Sequence, residues 1–177
     1  MRAPAMIVAL LLACVASVAR AQEKPPELEA LKASVGVWDA EIEVWPQGLD
    51  EPSITFKGVE TITAYGEHWI ASDFDSVFGG ETMRVHSIVG YDLDKKQLVG
   101  HIIDHGPYAA TMTGEYDAAA KTVSWTTRAK SIEGDPMVQH TTITQESADV
   151  RVLKLSMPTE TEGKFAKCMQ IRFERRE

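Results

Sequence analysis

Apolar and polar residues alternate along most of this chain with a period of two. In residues 37–45, Trp38, Ala40, Ile42 and Val44 share one phase, while Val37, Asp39, Glu41 and Glu43 share the other. That is the pattern of a β-strand with one buried face. Similar stretches rich in Val, Ile, Thr, Tyr and Trp follow at residues 53–64, 68–76, 82–91, 96–104, 108–116, 121–131, 138–145, 149–156 and 164–174. Turn chemistry separates them, for example Pro46-Gln47-Gly48, Phe78-Gly79-Gly80, Asp92-Leu93-Asp94-Lys95 and Glu133-Gly134-Asp135-Pro136. Two residues break the phase. Trp45 falls out of step beside Pro46, where it would cover a rim. In the last stretch Phe165, Met169, Ile171 and Phe173 share a face, and Lys167 is the misfit among them.

About ten antiparallel strands joined by hairpins predict an all-β protein. No helical stretch is long enough to cross between parallel strands. Closure into a single up-and-down barrel hides the strand edges most completely, and a two-sheet sandwich is the alternative. Before the strands, residues 25–36 read as a short helix closing one end of the barrel. Pro26 sits at its first turn, Glu27 and Glu29 suit the positive end of its dipole, Leu28, Leu31 and Val35 share a face, and Gly36 ends it.

The first 21 residues have a different composition. Arg2 precedes an uncharged apolar run over residues 5–18, and Ala19-Arg20-Ala21 supplies a small-x-small cleavage site, the pattern of an export signal. The expected organisation is therefore a signal peptide (1–21), an N-terminal segment with the short helix (22–36), and one barrel domain (37–177). Leu11-Leu12-Ala13-Cys14 opens a second route, acylation at Cys14 as a lipoprotein, although apolar residues 15–18 follow where such sequences turn polar. Either way the expected location is periplasmic or extracellular.

Charge and cysteine content narrow the partners. The full chain carries a formal charge of −8, and loss of Arg2 and Arg20 with the signal leaves 16 Lys and Arg against 26 Asp and Glu, or −10. Such a surface repels nucleic acid and anionic membranes, and no membrane-spanning segment is expected in the mature chain. Of the two cysteines only Cys168 would remain, so an internal disulfide is ruled out. A partly buried thiol accounts for Cys168 better than a nucleophile, because no histidine pairs with it in the neighbouring sequence. Nothing in the sequence sets the oligomeric state.

Several motifs occur in a recognisable order: Gly36-Val37-Trp38 after a short helix, Gly90-Tyr91-Asp92 with Lys95-Lys96, Ile103-Asp104, Gly114-Glu115-Tyr116-Asp117 with Lys121, and Ile171-Arg172-Phe173-Glu174-Arg175. Over residues 28–175 the chain resembles a bacterial family known as domain of unknown function 1579. The resemblance implies a lipocalin-like, or calycin, β-barrel and no established activity. One position departs from the family pattern: His101 stands where the family often has Trp. By analogy with lipocalins, the resemblance also implies that Trp38 packs at the closed end beneath Arg175 or Arg172, a guanidinium–indole stack worth about 0.5–2 kcal/mol.

Candidate chemistry is sparse. His86 and His101 face one another if residues 92–95 form the turn between their strands, and could then share a metal with a third donor or move protons within a pocket. They are equally read as an ordinary hydrogen-bonded pair, or as side chains pointing outward. Asp73 and Asp75 share a strand face, either as acid/base carboxylates or as solvated ones. Arg84 and Arg128 are mid-strand cations for an anionic ligand or for the outer surface. Trp69, Met83, Tyr108, Met112 and Trp125 would line a cavity or fill a core. No phosphate loop, Gly-x-Ser-x-Gly elbow, CxxC or His-Glu-x-x-His motif is present, so no cofactor or metal is named and no catalytic residue is assigned.

These readings favour a ligand-binding barrel over an enzyme. The leading expectation is a small, partly apolar ligand in the interior, with His86, His101, Arg84, Trp69, Met112 and Trp125 as candidate lining and Trp38, Arg172 and Arg175 closing the barrel. A His/Asp-based barrel enzyme and a solid-core interaction module are the rivals.

Overall fold

The computed structural model describes residues 25–159, 161 and 163–177, so residues 1–21 expected as an export signal, Cys14 and residue 22 lie outside the described residues. A short helix, α1 (Pro26–Ala33), precedes ten strands: β1 (Gly36–Val44), β2 (Ile54–Tyr65), β3 (Trp69–Phe78), β4 (Glu81–Asp92), β5 (Gln97–Ile103), β6 (Ala110–Asp117), β7 (Thr122–Lys130), β8 (Pro136–Gln145), β9 (Val150–Pro158) and β10 (Phe165–Arg175). Every strand pairs antiparallel with its neighbour in sequence, and β1 also pairs with β10. The result is a closed barrel rather than a sandwich, and it leaves no open sheet edge.

The alternation read from β1 matches its burial: Trp38, Ala40 and Ile42 are buried in the barrel, and Asp39 and Glu41 are exposed. Two local readings are corrected. Gly36 does not terminate the helix, which ends at Ala33 with the Ser34 hydroxyl donating to the Leu31 carbonyl at 2.6 Å. Gly36 instead opens β1 at φ 141°, where a Cβ would come within 2.5 Å of the Arg175 guanidinium. In β10 the register shifts between Lys167 and Met169. This bulge adds one residue at Cys168, so Lys167 and Phe165 both turn outward while Met169, Ile171 and Phe173 stay inward. Phe165 then stacks on outward His140 with ring centroids 4.0 Å apart, and Lys167 lies over the out-of-phase Trp45 at 4.1 Å.

The two ends of the barrel differ. At one end α1 presses Leu28 and Leu31 into the opening, both buried. Trp38 lies fully buried behind them, and its indole N–H donates to the Ser34 carbonyl at 2.8 Å. The Arg175 guanidinium stacks on Trp38 at 4.1 Å and donates to the carbonyls of Val35 (2.7 Å) and Ala33 (2.8 Å). A cation thereby caps the negative end of the helix dipole and ties the last strand to the first. Arg172 takes no part in this. It faces outward and pairs with Glu146 and Glu174, because in β10 it is out of phase with Phe173 and Arg175.

Candidate functional site

The β4–β5 turn fixes the faces of most of the candidate residues. Asp92 accepts backbone N–H groups from Asp94 and Lys95, both at 3.0 Å, and its Oδ2 lies 3.1 Å from the Lys95 ammonium. These bonds hold the Asp92 carboxyl below its ordinary pKa, with the Lys95 backbone N–H as the largest cause. The loop therefore spans residues 93–96 and pairs Asp92 with Gln97, one residue later at each end than the sequence alone suggested. His86 consequently stands opposite Ile103, and His101 opposite Ile88. The two histidines share a face but are offset diagonally by two residues.

That face is the outside. Ile70 and Val89 form a buried pair across β3 and β4, and Ser72 pairs with Ser87 on the same inward phase. The opposite phase carries Asp73 paired with His86 and Asp75 paired with Arg84. His86 Nδ1 lies 2.8 Å from Asp73, and Arg84 Nε lies 2.7 Å from Asp75, with all four side chains substantially exposed. His101 and Arg128 lie on the outer phase of β5 and β7, either side of Thr111. Trp69 is outward too and lies across Gly90, where a Cβ would collide with the indole ring. The interior location expected for His86, His101, Arg84 and Trp69 is thus corrected by register and strand phase. Met112 and Trp125 are inward and buried. The Trp125 ring covers Gly114, where a Cβ would come within 2.6 Å of it.

Two inward residues carry charge that the sequence reading passed over. Arg151 in β9 reaches across β10 and β1 to Glu60 in β2, donating from Nη2 to Oε2 at 2.5 Å, with the two side chains 5% and 15% exposed. Its guanidinium lies 4.4 Å from the Phe173 ring and 4.5 Å from the Trp38 ring, and the Ser72 hydroxyl donates to the other Glu60 oxygen. Burial pushes the Arg151 pKa down, and the nearby Glu60 carboxylate opposes that shift. Phase held the signal: Arg151 is in step with Leu153 and Leu155, and Glu60 with Phe56 and Ile62.

Above this ion pair lies a buried layer that includes Ile42, Ser76 and Thr127, and beyond it inward side chains become accessible at the rim. Ile54, Phe78 and Met83 occupy inward phases at the end away from α1, yet are 41%, 42% and 39% exposed. Every methionine of the described residues, namely Met83, Met112, Met137, Met157 and Met169, is on an inward phase in the half of the barrel away from α1, with Met83 exposed at the rim and Met112 buried in the core. Two surface troughs lie elsewhere. One of about 360 Å³ runs beside Glu27 and Lys95, and one of about 280 Å³ lies over Thr113, Ser124, Thr126 and His140.

Cys168 sits half-buried at the bulge, and burial raises its thiol pKa, which disfavours the nucleophilic thiolate. Among the described residues no group of three or more His, Cys, Asp and Glu is placed to hold a metal ion. No helix among them is long and apolar enough to cross a membrane.

Comparison with known proteins places the chain. Residues 23–175 match the family described as protein of unknown function (DUF1579), and the chain belongs to that family. No curated protein matches it significantly. Among solved structures it resembles Rv2717c from M. tuberculosis, with a TM-score of 0.65 at 10% identity over 86% of this chain and 99% of that one. It also resembles the S-type phycobiliprotein lyase CPES from Guillardia theta, with a TM-score of 0.54 at 13% identity over 84% of this chain and 91% of that one. At these identities the likeness is one of fold.

Proposed function

We propose that this barrel holds a small, at least partly apolar molecule in its open half. One observation carries the reading: inward-facing apolar side chains at one end of the barrel remain accessible, while the opposite end is sealed by α1, Trp38 and Arg175. Exposed apolar surface facing into a concave wall is the ordinary form of a ligand site. The phycobiliprotein lyase fold is consistent with a barrel of this kind serving a small-molecule role. An enzyme built on His86, His101, Asp73 and Arg84 loses its pocket, since those groups face away from the interior.

The working location that fits residues 1–21 is outside the cytoplasm, with the mature chain starting near Gln22. Native mass spectrometry of protein purified from its own host tests both points. A retained small molecule supports the binding reading. A bare mass, with no thermal shift across a panel of apolar and amphipathic compounds, overturns it. Intact mass separates cleavage after Ala21 from acylation at Cys14.

A further inference from the structure

We propose that the interior site selects ligands by charge rather than by shape, taking uncharged apolar molecules of varied outline and rejecting both carboxylate and ammonium amphipaths. The inference rests on the binding reading above and specifies its ligand class. Its first support is the lining. Met83, Met137 and Met157, from three different strands, are inward and at least partly accessible in the half away from α1, with Met112 and Met169 packed against the core beneath them. An unbranched thioether side chain with three rotatable bonds can fit differently shaped partners at small cost, unlike a wall of branched residues.

The second support is the state of the interior charges. Among the described residues the inward charged groups are Glu60 with Arg151, Arg175 beneath Trp38, and Glu81 at the lip of the mouth. Glu60 and Arg151 neutralise one another, and Arg175 is held by backbone carbonyls of the helix end. An entering carboxylate meets no free cation, and it passes Glu81 at the lip. An entering ammonium meets no free anion beyond the exposed lip. Either ion loses its hydration without a partner, whereas a neutral molecule does not bear that cost. A polar group of a neutral ligand still has a site. The Ser76 hydroxyl, on the inward phase beside Met83, is buried and has no hydrogen-bond partner among the described residues.

The experiment uses N-phenyl-1-naphthylamine as a fluorescent probe, displaced by methyl dodecanoate, dodecanoate or dodecyltrimethylammonium, each below its aggregation limit. Methyl dodecanoate is expected to displace the probe at concentrations at least tenfold lower than either ion. Phenanthrene, rigid and neutral, should fall within tenfold of the ester. Glu60→Gln frees the Arg151 charge and should raise dodecanoate displacement at least tenfold relative to the ester. Met83→Lys tests the same rule at a half-exposed position that tolerates a charge, and should shift the ranking the same way. Equal displacement by ester and dodecanoate in the unaltered protein overturns charge selection while leaving binding intact. Phenanthrene weaker than the ester by more than a hundredfold overturns shape tolerance. No binding of the probe and no thermal shift from any of the four compounds sinks the binding reading itself.

Discussion

Replacing Arg151 with Met separates the two roles that a buried ion pair can play. In the native barrel the guanidinium is 5% exposed, bonded to Glu60 at 2.5 Å and flanked by two aromatic rings. Met keeps much of the volume and the contact with those rings but removes the charge, leaving Glu60 as an uncompensated buried carboxylate. Breaking a buried pair from one side costs about 3–5 kcal/mol, and loss of the cation–ring attraction adds about 0.5–2 kcal/mol. A domain of this size has roughly 5–15 kcal/mol of stability in all, so R151M should lose roughly a quarter of it or more. The double variant E60Q/R151M carries no stranded charge and should recover most of the loss, giving a coupling of at least about 2 kcal/mol. Urea unfolding followed by tryptophan fluorescence measures this, since Trp38 lies against the guanidinium. A single-variant loss below about 1 kcal/mol, or additive single and double variants, would refute the claim that Glu60 depends on Arg151.

Three further outcomes follow from the same structure. Gly114→Val places a side chain against the Trp125 ring, where even a Cβ comes within 2.6 Å; overpacking of this kind costs about 1–3 kcal/mol, and an unchanged melting temperature by circular dichroism would contradict the packing described. Asp92→Asn keeps the turn's shape but removes a carboxylate whose folded pKa is lowered. The stabilisation it supplies is complete above the ordinary carboxylate pKa and is lost as pH falls through the folded value, so the stability gap between native and D92N proteins should be present at neutral pH and close in acid; a gap that persists under strong acid contradicts this. Alanine at Arg84, His86 and His101 together should leave binding of N-phenyl-1-naphthylamine within twofold, because all three face outward; a loss beyond tenfold would mean that the outer face of β4 and β5 takes part.

The barrel was legible in the sequence because it rests on local signals that agree. Period-two alternation, β-rich composition and turn residues placed all ten strands within two residues of their observed ends, and hairpin connectivity left closure as the economical way to hide edges. The faces of the middle strands were not legible in the same way. Whether His86 meets His101 or Ile103 depends on one residue of turn length, and that length is set by Asp92 accepting the Asp94 and Lys95 N–H groups. The bulge at Cys168 is likewise decided by pairing with β9, and it reverses the direction of Phe165. Glu60 and Arg151 lie far apart in sequence and meet because β9 and β2 stand three strands apart around a closed wall. Strand phase marked each of them as inward, but only closure made them partners.

The same pair divides the interior by function. On the α1 side, Trp38 lies between the guanidinium groups of Arg151 and Arg175, at 4.5 and 4.1 Å, so β1, β9 and β10 are linked through one buried indole and the helix end. A shift of one side chain there would strand a charge. On the mouth side no such constraint operates: the inward side chains are uncharged apart from Glu81 at the lip, with Ile54, Phe78 and Met83 accessible and Ser76, Thr127 and Gln139 among them, and they can repack without exposing an unpaired ion. A barrel that fixes its charges at one end can therefore leave the other adaptable at little cost to the stability of the whole.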